Sequence, residues 1–401
     1  MPCSKCLGDT SPRMRHRRPD WHRFSRVRVA IAKEAQPEES RVAMVPDLVG
    51  ALRSLGYDVA VEPDAGRLAT HLDADYAEAG AVVDADATVG ADLVLSVQPL
   101  NIQQVRRLKP GAATLSFLPL AHLPDAVRER RDLRISSFAM ELVPRIARAQ
   151  SMDALSSQAL VSGYRAAIVA AQRLRRFFPL NMTAAGTIRP AEVVVLGAGV
   201  AGLQAIATSK RLGAVVKAYD VRAAAAEEIR SMGAVAIELE LETLEGAGGY
   251  AREMNEERAA RQRDLLTPHI AAADALITTA AVPGRRAPVL VTAQMVEQMK
   301  PGSVVVDLAA ETGGNVEGTV AGSVVQVGGA QIWGAANVPS QMPEPASRLY
   351  AQNQVNLVTL MTSEQAFTPD FDDEIVRSTC VTHAGVITHE PTRLAVEGSD
   401  E

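Results

Sequence analysis

Three glycines, Gly197, Gly199 and Gly202, stand in Gly-x-Gly-x-x-Gly spacing inside VVVLGAGVAGLQAIATSKRLGAVVKAYD, residues 193–220. An apolar strand runs directly into them and a helix-compatible stretch follows, which is the context in which this spacing cradles a pyrophosphate. Gly197 allows the tight turn, Gly199 lets the backbone approach the phosphates, and Gly202 lets helix and strand pack closely. The helix N-terminus then stabilises the phosphate charge. Ala198 and Val200 belong to the same turn and are assigned with it to the cofactor. Asp220 ends the second strand, 18 residues after Gly202. An acid there accepts hydrogen bonds from a ribose 2′-hydroxyl and repels a 2′-phosphate, so NAD(H) is expected in preference to NADP(H). Arg222 is the complication, because an arginine after this strand can recruit a 2′-phosphate; its alternative reading is a loop charge lying over the adenine.

A second constellation lies upstream in Pro144-Arg145-Ile146-Ala147-Arg148-Ala149-Gln150-Ser151-Met152-Asp153-Ala154-Leu155-Ser156-Ser157-Gln158. By spacing alone Asp153 and Ser156, three apart before a helix, are as consistent with helix capping as with ligand binding. Gly246-Ala247-Gly248-Gly249-Tyr250 reads as a mobile loop between two β/α elements. Glu311 follows the last strand of the Rossmann unit, and Arg285 precedes it; both are expected near the nicotinamide end.

The elements that must carry these groups alternate in β/α order from Val27 onward. Strands are expected at Val27–Ile31, Val59–Glu62, Val82–Val83, Leu93–Val97, Ala113–Phe117 and Arg134–Ser136, with a helix at Pro46–Leu55. Ser156–Phe178, with Leu160, Tyr164, Ala167, Ile168, Ala171 and Leu174 at helical spacing, reads as one long helix. A second unit follows with strands at Val193–Leu196, Val215–Tyr219, Val235–Glu238, Ala275–Thr278 and Val304–Leu308. From Val338 the pattern turns helical, with Tyr350, Val355, Leu357 and Leu360 as core positions. The expected architecture is α/β: two Rossmann-like doubly wound domains joined by the long helix. Residues 1–26 form a disordered extension, 27–155 a first domain completed by 338–401, and 156–337 the NAD(H)-binding domain.

The chain of 401 residues is 47% hydrophobic, enough for two cores, and carries a net charge of -6, which gives no reason to expect nucleic acid or an anionic membrane as partner. Its three cysteines, Cys3, Cys6 and Cys380, are too few for a disulfide framework and fit a reducing compartment. Cys3 and Cys6 have CxxC spacing but no second ligand pair, so no metal site is expected. Met14 is an alternative start. No run approaches the ~18 apolar residues of a spanning helix, so any membrane coupling must come through a partner.

The segment from Arg145 to Gln158 closely resembles the RAQSMD…SSQ loop and helix start of the NAD(H)-binding component of proton-translocating nicotinamide nucleotide transhydrogenases, which share their fold with alanine dehydrogenases. The resemblance continues through Glu39-Ser40-Arg41-Val42-Ala43, Gly248-Gly249-Tyr250-Ala251, Pro283-Gly284-Arg285, Asp307-Leu308-Ala309-Ala310, Leu349-Tyr350 and Asn356-Leu357-Val358. Leu160 and Asp64-Ala65-Gly66 depart from the family pattern. The resemblance implies that Arg145, Gln150, Asp153 and Ser156 surround the dihydronicotinamide, and that Gly249 and Tyr250 close over bound nucleotide. Ala280 and Glu311 are assigned to the cofactor site. Also implied are NAD(H) as cofactor, NADP(H) held by a separate component, a membrane component that passes protons, a homodimer, and a cytoplasmic location peripheral to the inner membrane. Alanine dehydrogenases place a lysine and a histidine where this sequence has Val97 and Pro119, and neither replacement can bind a carboxylate or move a proton; His122 does not match by offset. An amino-acid dehydrogenase and a non-catalytic NAD(H)-binding module are the alternatives.

Overall fold

The computed structural model describes residues 26–119, 124–240, 256–281 and 285–398. Its first sheet begins with β1 (Arg28–Ile31), β2 (Asp58–Val61), β3 (Val82–Val83), β4 (Leu93–Leu95), β5 (Ala113–Ser116) and β6 (Ser136–Ala139). These six are parallel, in the order β6-β5-β4-β1-β2-β3. Every residue of β4, β5 and β6 is buried, as expected of strands covered on both faces. The strand order reverses between β1 and β4, and a crevice opens outside their carboxyl ends.

The long helix runs Ala154–Arg173, capped by Asp153. It starts two residues before the position read from periodicity and ends five before Phe178. At Leu174 the backbone turns extended (φ -68, ψ 128), Phe178 is buried against the second core, and Arg176 pairs with Asp274 at 2.9 Å. Burying Phe178 and anchoring Arg176 compete with continuing the helix. Gly163 is the point of closest approach to the Rossmann helix Val200–Arg211: a Cβ there would lie 2.1 Å from the Ala201 carbonyl oxygen. Any side chain at position 163 would push the two helices apart.

A hairpin of β7 (Asn181–Thr183) and β8 (Gly186–Ile188) leads into the second sheet. That sheet holds β9 (Glu192–Leu196), β10 (Val215–Tyr219), β11 (Val235–Ala236), β12 (Ala275–Thr278), β13 (Val304–Asp307), β14 (Val324–Val327) and β15 (Ala330–Gly334), ordered β11-β10-β9-β12-β13-β15-β14. All neighbours are parallel except β14 and β15. Separate apolar clusters cover its two faces. The order again reverses beside β9, which puts the glycine turn at the carboxyl end of a central strand.

The chain then returns to the first sheet. The helix Pro343–Leu360 buries Tyr350 completely, and the Tyr350 hydroxyl donates to the Ser96 carbonyl at 3.1 Å. After a small hairpin of β16 (Thr362–Ser363) and β17 (Ala366–Phe367), β18 (Cys380–His383) pairs antiparallel with β6, and β19 (Val386–Ile387) pairs with β18. The first sheet therefore has eight strands. The sixth strand is shifted from the expected Arg134–Ser136, because Arg134 adopts a left-handed conformation (φ 57) that ends the preceding helix.

Candidate functional site

Gly197 has φ 97, in the left-handed region, and a Cβ there would meet the Thr279 hydroxyl at 2.6 Å. A Cβ on Gly202 would sit 1.9 Å from the Gly197 carbonyl oxygen, so this glycine sets the helix-to-strand distance. Gly199 differs from both. Its backbone is extended and a Cβ would meet nothing within 4 Å. Packing does not require glycine at 199; open space lies over it, at the N-cap of a 12-residue helix that has no side-chain cap. Unsatisfied N–H groups facing that space fit a dinucleotide pyrophosphate.

Asp220 reaches back to this turn: its Oδ2 accepts from the Ala198 N–H at 2.7 Å. Arg222 stands in the loop after β10 with its side chain 22% exposed. It folds onto Asp220, its backbone N–H and Nε donating to Oδ1 at 2.9 and 3.0 Å and one terminal nitrogen to the Ala198 carbonyl at 3.2 Å. The bond to Asp220 pushes the guanidinium further above its ordinary range. Held this way, Arg222 screens the acid without extending toward a 2′-phosphate.

On the other side of β9, buried Asp307 accepts four hydrogen bonds, from the Thr278 hydroxyl and the backbone N–H groups of Ala309, Asn315 and Val316. Asn315, fully buried, takes the backbone of Ala280 from both sides: Oδ1 accepts from its N–H at 2.9 Å and Nδ2 donates to its carbonyl at 2.8 Å. Ala280 thus has its N–H committed and its carbonyl left with one lone pair, while its methyl packs against the apolar cluster on that face of the sheet. Glu311 accepts from the Asn337 N–H at 3.1 Å, and burial raises its carboxyl above the ordinary range. Its carboxylate therefore joins the Rossmann domain to the segment that returns to the first sheet.

The loop before the long helix is a 3₁₀ turn, Ala147–Met152. Gln150 and Arg145 are exposed, whereas Ala149 and Met152 are buried and anchor it. Asp153 caps the helix through Oδ1, which accepts from the Ser156 N–H at 2.9 Å, while Oδ2 accepts from the Ser156 hydroxyl at 2.6 Å. Capping is real, yet each carboxylate oxygen keeps a lone pair. Asn353 and Asn356 of the helix Pro343–Leu360 both donate to the Ser151 carbonyl, at 2.9 and 2.8 Å. Gln158, one turn into the long helix, accepts from Arg41 at 2.9 Å and donates to the Ala346 carbonyl at 3.1 Å.

Arg41 itself is engaged inside the protein. Its side chain is 4% exposed and donates to both Glu39 oxygens at 2.8 and 2.6 Å, to Gln158, and to Asn337 at 3.3 Å. Burial pushes the Glu39 carboxyl up, but the Arg41 hydrogen bonds and charge outweigh it and leave it below its ordinary value. Half-buried Glu34, which accepts from the N–H groups of Val97 and Gln98 at 2.6 and 3.1 Å, is pushed by burial to about 7. Lys33, Glu34, Glu39, Arg41 and Arg67 line a cavity of about 220 Å³ at the carboxyl ends of β1 and β2.

The sequence profile described as alanine dehydrogenase/PNT, N-terminal domain, matches residues 30–162, and that of the C-terminal domain of the same family matches residues 166–390. This chain belongs to the alanine dehydrogenase/PNT family. Within it, the chain is 45% identical over 376 residues to an NAD(P) transhydrogenase subunit alpha chain of Rhodospirillum rubrum, covering 90% of this chain and 98% of the relative. A solved transhydrogenase structure from Sinorhizobium meliloti is 44% identical, with a TM-score of 0.81 over 90% of this chain and 99% of the other. Alanine dehydrogenase of Bacillus subtilis is more distant, 27% identical over 374 residues, covering 90% of this chain and 93% of that enzyme.

Val97 is fully buried with its N–H held by Glu34, while Pro119 is exposed and follows Leu118, whose N–H is held by Glu141 at 2.9 Å. Burial raises Glu141, like Glu34, to about 7. The expected lid, Gly249 and Tyr250, lies outside the described residues, as do His122, Pro283, Gly284, Cys3 and Cys6. Among the described residues no group of His, Cys, Asp or Glu could hold a metal, and no helix is long and apolar enough to cross a membrane. Sequence reasoning missed Asn315, Asn337, Asn353 and Asn356. Each acts through a backbone group far away in sequence, and an amide leaves no periodic or charge signal that would reveal this.

Proposed function

We propose that this chain is the NAD(H)-binding component of a proton-translocating transhydrogenase, presenting NADH to NADP⁺ held by a separate component. Gly197, Ala198, Gly199, Val200 and Gly202 take the pyrophosphate, Asp220 the adenosine ribose, and Ala280 with Glu311 the nicotinamide end. When bound, NADH supplies the hydride at its C4 atom; C4 of NADP⁺ accepts it, and no proton is gained or lost at either ring. Such a reaction asks the protein to position and to exclude water, holding the reacting atoms at roughly 3 to 3.5 Å. Arg145, Gln150, Asp153 and Ser156 do this, with Gly249 and Tyr250 closing over the nucleotide.

One observation carries this reading over amino-acid oxidation. Four of the five N–H donors of the Arg41 guanidinium are spent inside the protein on Glu39, Gln158 and Asn337, and Val97 and Pro119 supply neither a cation nor a proton acceptor. Coupling to protons and location at the inner membrane then come through a membrane component. Homodimerisation is supported by exposed apolar residues in and beside the β7–β8 hairpin, with Met182 75% exposed and Phe177, Leu180 and Ile188 also exposed.

The test is to mix the purified chain with an isolated NADP(H)-binding component and follow reduction of an NADP⁺ analogue by NADH. Gln150→Ala and Asp153→Ala are expected to slow transfer far more than they weaken NADH binding. Equal losses in the two would contradict the positioning role.

A further inference from the structure

We infer that Asn353 and Asn356 are positioning residues for the hydride-transfer loop, an inference that rests on the functional reading above. A 3₁₀ turn has poor internal hydrogen-bond geometry and is held in place by what surrounds it. Here Gln150 precedes, and Asp153 follows two residues after, a single carbonyl, that of Ser151. That carbonyl accepts from Asn353 Nδ2 at 2.9 Å and from Asn356 Nδ2 at 2.8 Å. One donor satisfies a carbonyl; two, from directions set by consecutive turns of one helix, use both lone pairs and fix its orientation.

Both amides are themselves held. Asn353 Oδ1 accepts from the Ser157 hydroxyl at 2.7 Å, so one side chain ties residue 151 to residue 157 and spans the Asp153 cap between them. Asn356 Oδ1 accepts from Gln352 Nε2 at 3.0 Å, which turns its NH₂ toward the loop. A third tie comes from outside the helix: Arg148 pairs with both Asp373 oxygens at 2.8 and 3.0 Å. The C-terminal segment, which packs on the first sheet, thus fixes the loop that carries Gln150 and Asp153. None of these three residues needs to touch a nucleotide for its loss to be felt.

The experiment compares the full-length chain with Asn356→Leu and Asn353→Leu, which keep size and neutrality but lose the donor. Readouts are the transfer rate at saturating NADH with an isolated NADP(H)-binding component, the NADH Kd and the melting temperature. We expect transfer to fall by about 10- to 100-fold, the range a shift of about 1 Å produces, with NADH Kd within about twofold. Asn356→Gln, which restores an amide donor, recovers some of the rate. Leu variants that transfer at the unsubstituted rate, or lose rate and NADH affinity in equal proportion, overturn the inference. Should buried Asn353→Leu fail to fold, the partly exposed Asn356 decides the question. No transfer by the unsubstituted chain would overturn the functional reading and this inference together, whereas full-rate variants overturn only the latter.

Discussion

Gly199 and Gly202 occupy the same motif for different physical reasons, and substitution separates them. Gly202→Ala drives a methyl into the Gly197 carbonyl, 1.9 Å away, so a loss of about 1–3 kcal/mol in stability is expected from overpacking. Gly199→Ala meets nothing within 4 Å and should melt like the unsubstituted chain while binding NADH about tenfold more weakly, a loss of about 1.4 kcal/mol confined to the ligand. Calorimetry and a binding titration check both; a Gly199→Ala chain that binds NADH as tightly as the unsubstituted one would mean that the open space is not the phosphate cradle. Asp220→Ala makes a related test. It removes the acceptor of the Arg222 backbone N–H at 2.9 Å and of its Nε at 3.0 Å, leaving the guanidinium its bond to the Ala198 carbonyl and a looser hold. NADH affinity should fall and NADPH affinity rise, and titrations showing both falling together would remove Asp220 and Arg222 from cofactor choice. The glycine spacing and the acid were legible in the sequence because each uses a residue type that chemistry restricts. The direction of Arg222 was not, since a loop arginine is free to extend or fold back until its neighbours are placed.

At the scale of elements, Glu34 and Glu141 brace the loops after β4 and β5 by accepting from the N–H groups of Val97, Gln98 and Leu118. Both carboxyls are raised by burial, each to about 7 from 4.5. The unfolded chain releases these protons near 4.5 and the folded protein near 7, so ionisation favours the unfolded state as pH rises between those values. Stability from these two groups is fully present below pH 4.5, declines to pH 7 and is level above, a change of at most about 3 kcal/mol each. A Glu34→Gln, Glu141→Gln chain should lose this decline, seen as a smaller drop in denaturation midpoint from pH 5 to pH 8. An unchanged pH slope would show that neither group is held neutral. Sequence periodicity found the central buried strands of both sheets, because runs such as Val193–Leu196 and Val304–Val306 are apolar throughout, but it missed the buried β15 and, in a stretch expected to be helical, β18. It missed the hairpin β7–β8, whose exposed Met182 and Ile188 obey no burial pattern, and overran the long helix, because Phe178 continues its apolar spacing while leaving it for the second core.

Across the whole molecule, the chain's return to its first sheet joins the two domains at the site. Asn337 receives the Glu311 carboxylate on its N–H and contacts Glu39 and Arg41, while Ser340 donates to the Glu38 carbonyl at 2.9 Å. Deleting residues 338–401 would strip β18 from β6 and leave the Tyr350 site empty. The expected result is selective proteolysis of residues 27–155 with loss of circular dichroism, and a first domain that stays resistant would show that the return segment is dispensable for its fold. Joining distant segments in this way is what a linear reading detects least, since Glu38 and Ser340 are 302 positions apart. In the proposed function the chain positions NADH for a second nucleotide and does no acid–base chemistry of its own. The most direct measurement is single-turnover reduction of an NADP⁺ analogue by NADH when the chain meets an isolated NADP(H)-binding component, with L-alanine and NAD⁺ as the parallel assay. Rapid hydride transfer in the mixture and no alanine-dependent NADH formation by the chain alone are expected; NADH binding without transfer, or NADH formed from alanine, would overturn the proposed function.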